Sequence, residues 1–165
     1  MDDTLRVINE LEAEGVISRY AIGGAIGLLF YIETLYTEDL DVFCCLPRDA
    51  ILITLAPLYN WLKHRGYEEE KEHVLIEGIP VQFLEPPDDL VKEALAQAVD
   101  DQYAGVPTRV FQYEHLLAIA CGLGRHKDKL RIAIALESRE PDEPKLRDIL
   151  ARHDLLDKWS AMTAR

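Results

Sequence analysis

Leu5, Ile8 and Leu11 recur at the spacing of one helical face and Gly15 supplies a stop signal, so residues 4 to 14 predict an amphipathic helix. "VISRYAI" then has a strand's composition and runs into Gly23-Gly24, after which "AIGLLFYIETLY" is long enough for a helix packed tightly on a sheet. "DLDVFCCL" is a continuous apolar run apart from two aspartates, the look of a central strand covered on both faces. Pro47 and Asp49 open a predicted helix to His64, with Leu52, Leu55, Leu58 and Leu62 as its stripe and Gly66 as its exit. "YEEEKEHVLIEGIPVQFLEPP" reads as strands around a turn at Glu77-Gly78, its polar first half lying near a sheet edge, and Pro86-Pro87 ends the unit.

"DDLVKEALAQAV" predicts a helix with an aspartate as cap, and "VPTRVF" a short strand. From Gln112 onward the pattern is helical: one segment to Cys121, a break at "GLG", a second over 125 to 138, then short helices over 144 to 152 and 154 to 163. The sum is an α/β (α+β) domain with a small mixed β-sheet packed with helices, followed by a helical C-terminal segment. The expected organisation is a single domain over 1–165, with an α/β core over 18–111 and a helical extension over 112–165.

Composition narrows the function classes. The chain has 165 residues, 48% apolar and 29% charged, which is ordinary for a folded domain able to bury one sizeable core. No charge-free run is long enough to span a bilayer and no basic leader opens the sequence, so no membrane association and a cytoplasmic location are expected. Cys44, Cys45 and Cys121 lack both a disulfide framework and metal-ligand spacing and read as buried, reduced thiols. A formal net charge of −12 disfavours broad binding of duplex nucleic acid, yet it leaves room for a small anion held through a divalent cation.

Asp39 and Asp41 are the unusual feature, because carboxylates beside so apolar a run are costly without partners. Side chains two apart on a strand share a face at a spacing of about 6 to 7 Å, so both could converge on one hard cation such as Mg²⁺. Taken alone, a D-x-D at the start of a strand marks only its solvated end, and Gly-Gly only a tight turn. Their order matters: a glycine-opened helix start lies one helix before the aspartates, and its backbone N–H groups suit phosphate oxygens.

The stretch "AIGGAIGLLFYIETLYTEDLDVF" resembles the signature of the DNA polymerase beta-like nucleotidyltransferase superfamily: a strand, a Gly-Gly turn, a helix, then a strand carrying D-x-D. Its Thr37-x-Asp39-Leu40-Asp41 ending is similar to that of minimal nucleotidyltransferases related to abortive-infection antitoxin-system proteins, and "YEHLLAIACGLGRHKDKLRIAIALE" resembles that group's C-terminal helical segment. The resemblance implies a nucleoside triphosphate held at Gly23 and Gly24, with Thr37, Arg125 and Lys127 as further nucleotide-binding residues. Asp39 and Asp41 would be the catalytic residues and ligands of Mg²⁺, and a hydroxyl acceptor would take the nucleoside monophosphate.

The resemblance fails at one point. Active members carry a third carboxylate on a later strand, and the corresponding position here is Gln82, whose neutral amide cannot act as a base. Glu77 and Glu85 are nearby substitutes in sequence, and each also reads as an ordinary solvated glutamate. Arg125, His126, Lys127, Lys129 and Arg131 are dense for so acidic a chain, with Asp128 among them; they fit either a triphosphate site or a solvated, ion-paired helix start. The alternative to an enzyme is therefore a catalytically degenerate nucleotide-binding module, or a toxin-antitoxin-type interaction module with a protein partner.

Overall fold

A computed structural model of the chain describes residues 1–33, 35–37, 39–47 and 54–164. Its elements run α1 (Asp2–Ala13), β1 (Arg19–Ile22), α2 (Gly24–Leu29), β2 (Leu40–Cys45), α3 (Ala56–His64), β3 (Glu69–Glu70), β4 (His73–Ile76) and β5 (Ile79–Leu84). They continue with α4 (Asp89–Ala96), β6 (Val99–Tyr103), β7 (Val106–Val110), α5 (Tyr113–Leu123), α6 (His126–Ser138), α7 (Glu143–Arg152) and α8 (Leu156–Thr163). The strands form one seven-stranded mixed sheet in the order β3-β4-β5-β2-β1-β7-β6. β2 is thus central, antiparallel to β1 and parallel to β5, as its apolar run predicts.

Strand alternation sorts the core into two layers. Tyr20, Ile22, Leu40, Val42, Cys44, Val74, Ile76, Val81 and Phe83 point to the face closed by α1 and α3, whose Leu5, Ile8, Leu11, Leu58 and Leu62 are the periodic residues of the sequence. Ala21, Phe43 and Phe111 point the other way, into a second layer with α2, α4, α5, α6 and α7. Two hairpins turn through consecutive left-handed residues, Glu77-Gly78 (φ 49° and 80°) and Ala104-Gly105 (φ 48° and 79°), the geometry that matches strand twist. Asp88 caps α4 as expected, its Oδ1 accepting from Val91 N–H at 2.9 Å.

Four expectations need correction. The helix after Gly-Gly has only six residues: it closes through bonds from Tyr31 and Ile32 N–H to Leu28 O (2.9 and 3.0 Å), and the Tyr31 hydroxyl ties the chain to Phe111 O at 3.0 Å. Residue 99 does not continue α4; it opens β6, which stays exposed along its length and is held by pairing with β7. Asp39 precedes β2 rather than lying within it, and the other face of β2 is only half-covered. Cys45 is exposed, because strand alternation that buries Cys44 turns its neighbour outward. The predicted helix start at 49 to 53 lies outside the described residues, and α3 begins at Ala56, after Thr54 and Leu55.

Candidate functional site

The half-covered face of the sheet brings the singled-out residues together. β1 and β2 pair Ile22 with Val42, and beyond that pair Gly23 N–H donates to Asp41 O at 3.0 Å. Gly24 follows with φ +58°, and a Cβ placed on it would fall 1.8 Å from Asp41 Oδ2. Only glycine fits here, both because of the left-handed backbone and because a carboxylate occupies the space. A Cβ on Gly23 would likewise fall 2.6 Å from the Phe43 ring. The two glycines therefore let the backbone lie directly against Asp41, and this close approach, rather than the dipole of so short a helix, is what they contribute.

Asp41 is paired in register with Gln82 on the parallel strand β5. Val74 pairs with Val81, so His73 stands across from Gln82, and Glu70 pairs with His73 in turn. A row of polar side chains thus crosses four strands from Asp41 to the edge of the sheet. Asp39, about half exposed, lies with Oδ1 3.8 Å from His73 Nε2. His73 is a member of this cluster that sequence spacing did not single out; only the β4–β5 register brings it there.

Burial pushes the Asp41 carboxyl above its ordinary range; Arg131 pulls it down, the neighbouring Asp39 pushes it up, and Lys127 and His73 pull it down. No hydrogen bond reaches its side chain among the described residues, which leaves a half-buried carboxylate compensated only at longer range. Arg125 is also within the field of Asp41 and is bound to Asp128. Arg125, Lys127 and Arg131, three of the five basic residues that the sequence groups together, therefore lie within the field of the aspartate. Thr37 is half-buried in the segment leading to Asp39.

The donor set fits one hard divalent ion: two carboxylates, with the Gln82 amide oxygen in register beside Asp41. Those two carboxylates are the whole of its charged oxygen set, and no group of three His, Cys, Asp or Glu side chains able to hold a metal occurs among the described residues. Glu77 sits in the hairpin turn, where it accepts a 2.6 Å bond from the Tyr67 hydroxyl, and Glu85 lies just beyond β5. Neither replaces the missing carboxylate. A concavity of about 510 Å³, lined by Lys63, Gly66, Tyr67, Glu68 and Glu69, is a separate feature at the end of α3.

The same architecture occurs in solved structures of nucleotidyltransferase-like proteins. An antigenic nucleotidyltransferase-like protein from Paracoccidioides brasiliensis superposes with a TM-score of 0.61 at 18% identity, over 99% of this chain and 94% of that one. The solution structure of the antibiotic-resistance factor ANT(2'')-Ia gives 0.54 at 16% identity, over 98% of this chain and 94% of its own. A crystal structure of ANT(2'')-Ia in complex with adenylyl-2''-tobramycin gives 0.54 at 16%, over 91% and 96%. At such identities the likeness is one of fold, and the fold is nucleotidyltransferase-like. Neither a protein-family model nor a curated protein matches the sequence. Among the described residues no helix is long and apolar enough to cross a membrane.

Proposed function

We propose that the protein is a Mg²⁺-dependent nucleotidyltransferase that moves a nucleoside monophosphate from a nucleoside triphosphate to a hydroxyl acceptor. The observation that carries this reading is the contact between the Gly24 backbone and the Asp41 carboxylate, which joins a phosphate-accepting turn to a metal-ligating strand. Gly23 and Gly24 bring the phosphates close, while Asp39 and Asp41 hold the ion. Thr37, Arg125 and Lys127 complete the nucleotide site.

When bound, the ion neutralises charge on the transferring phosphoryl group. The acceptor hydroxyl oxygen would form a bond to the α-phosphorus and lose its proton to solvent as the bond to the bridging oxygen breaks and pyrophosphate leaves. That an ANT(2'')-Ia structure holds an adenylylated aminoglycoside supports a hydroxyl acceptor in general terms. The nucleotidyltransferases of the abortive-infection antitoxin group remain the branch that the Thr37 to Asp41 motif favours.

A second reading has its own support. With Gln82 in the place of the third carboxylate, the amide at that position cannot take the acceptor proton, which favours a degenerate nucleotide-binding module or a toxin-antitoxin-type component with a protein partner. Calorimetric titration with ATP, GTP, CTP and UTP, with and without Mg²⁺, separates the cases. Mg²⁺-dependent binding that disappears in Asp39→Ala plus Asp41→Ala is expected. Product formation then marks the enzyme, binding without product marks the module, and absence of all binding rejects a nucleotide site.

A further inference from the structure

Asp128 is the most deeply buried acidic side chain near the site, at 1% exposure. It lies in the first turn of α6, where its Oδ2 accepts from Arg125 N–H at 3.2 Å and from Arg125 Nε at 2.6 Å. Its Oδ1 accepts from Arg125 Nη2 at 3.1 Å and lies 3.5 Å from Arg131 Nη1. A helix start needs only the backbone bond to be capped, and a small hydroxyl residue would normally complete the box. Here an arginine stands at the cap and a second arginine closes on the same buried carboxylate. One negative charge against two positive ones leaves the cluster cationic in a chain whose net charge is −12.

The cluster is also anchored. Gly124 ends α5 in a left-handed turn (φ +65°), and Lys158 Nζ donates to Gly122 O at 2.6 Å, which fixes the corner between α5 and α6. Ile132 and Ala135 of α6 share a buried layer with Leu28 of α2, and Leu116 of α5 packs against Gly27. The corner is therefore hung on the short helix whose first residue touches Asp41. Each guanidinium has five N–H donors, and the bonds to Asp128 use only part of them.

We propose that Arg131, together with Arg125, binds the triphosphate, and that Asp128 is the positioning residue that aims both guanidinium groups. This rests on the nucleotide-binding reading above. It adds Arg131 to the site and assigns Asp128 a purpose beyond capping. Guanidinium forks suit phosphate oxygens, and a fork held by a buried carboxylate loses little freedom on binding.

The test is calorimetric binding of ATP, AMP and inorganic tripolyphosphate, with Mg²⁺ present, to the wild type, Arg131→Gln, Asp128→Asn and Lys129→Gln. Loss of a charge-assisted contact predicts that Arg131→Gln and Asp128→Asn each weaken ATP and tripolyphosphate about tenfold, while AMP is nearly unchanged. Lys129→Gln, which removes the same charge from a neighbouring exposed position, should leave all three ligands nearly as in the wild type. Wild-type ATP affinity in Arg131→Gln overturns the proposal. So does an Asp128→Asn variant that loses ATP and AMP alike together with its melting temperature, the mark of a purely structural cap. If Asp128→Asn does not fold, the ratio of ATP to AMP affinity in Arg131→Gln decides alone. A wild type that binds none of the three ligands overturns the nucleotide reading itself, and the proposal with it.

Discussion

At the scale of single residues, the site is built from positions where the ordinary choice of side chain would fail. Gly24→Ala forces a left-handed alanine, at about 1–2 kcal/mol, and drives a methyl group into the Asp41 carboxylate. Gly15→Ala carries the same kind of strain, at φ +71° with open space around it. Comparable denaturation midpoints for the two variants are expected from strain alone, with a further loss in Gly24→Ala. Calorimetry should show that only Gly24→Ala abolishes Mg²⁺-dependent nucleotide binding. Asp41→Asn should behave in the opposite sense. It removes a half-buried charge that burial already disfavours and that no described hydrogen bond supports, so its stability should equal or exceed that of the wild type while metal-dependent binding is lost. A large drop in melting temperature would mean that Asp41 holds the fold together and would weaken its assignment as a ligand.

Among elements, Glu93 ties the helical layers together. From α4 its carboxylate meets Arg152 of α7 through a guanidinium fork, with Arg152 Nη2 at 2.9 Å from Oε1. His115 Nε2 of α5 lies 3.0 Å from Oε1, and His153 Nε2 lies 3.0 Å from Oε2. The Arg152 hydrogen bond, aided by those to His153 and His115 and opposed by burial, holds Glu93 far below its ordinary 4.5. Stability from this group is present above pH 4.5 and is lost as pH falls through the folded value. Burial also holds fully buried His115 below its ordinary 6.5, so below that pH the unfolded chain takes a proton that the folded protein refuses. Both effects have the same sign. Urea midpoints should fall from about pH 6.5 downward and more steeply below 4.5. Glu93→Gln should cost about 2 kcal/mol near neutral pH and flatten the steeper part; an unchanged acid limb would assign that loss to other carboxylates.

The sequence was most readable where burial follows a simple period. The stripe of α1, the Leu58 and Leu62 part of the α3 stripe, the apolar run of β2 and the Glu77-Gly78 turn all express one element's contact with one layer, and each occurs in the structure. β6 was not readable because "VDDQY" buries nothing; its strand state is imposed by backbone bonds to β7, which leave no hydrophobic trace. The short α2 was hidden for the opposite reason, since the apolar residues after Leu29 serve the core without being helical. Asp41 and the glycines stood out because each broke a local rule. His73 broke none and joins the cluster only through strand register, whereas Arg131 belonged to a dense basic run whose sequence did not say which of its members turn inward. Alternation could have placed Cys45 outside, because two adjacent cysteines on one strand cannot face the same layer.

Across the whole molecule, a net charge of −12 bears on both stability and partners. Several ion pairs are compact and partly sheltered: Arg109 with Glu12, Lys145 with Glu114, and Arg125 and Arg131 with Asp128. Salt screens such short, sheltered pairs weakly, whereas the excess acidic groups, including the run from Glu68 to Glu72, repel one another over distances that salt screens well. Raising ionic strength from about 0.01 M to 0.5 M contracts the screening length from about 30 Å to a few Å, so self-repulsion should fade while the paired contacts persist. The expected outcome is a melting temperature that rises by a few degrees over this range. A fall would mean that exposed pairs outweigh the repulsion. The same field predicts no measurable binding of duplex DNA even at low salt, where basic nucleic-acid binders are strongest. On the proposed reading a small triphosphate differs from duplex DNA, because it would need only the local patch around Arg125, Lys127 and Arg131, where cations outnumber Asp128.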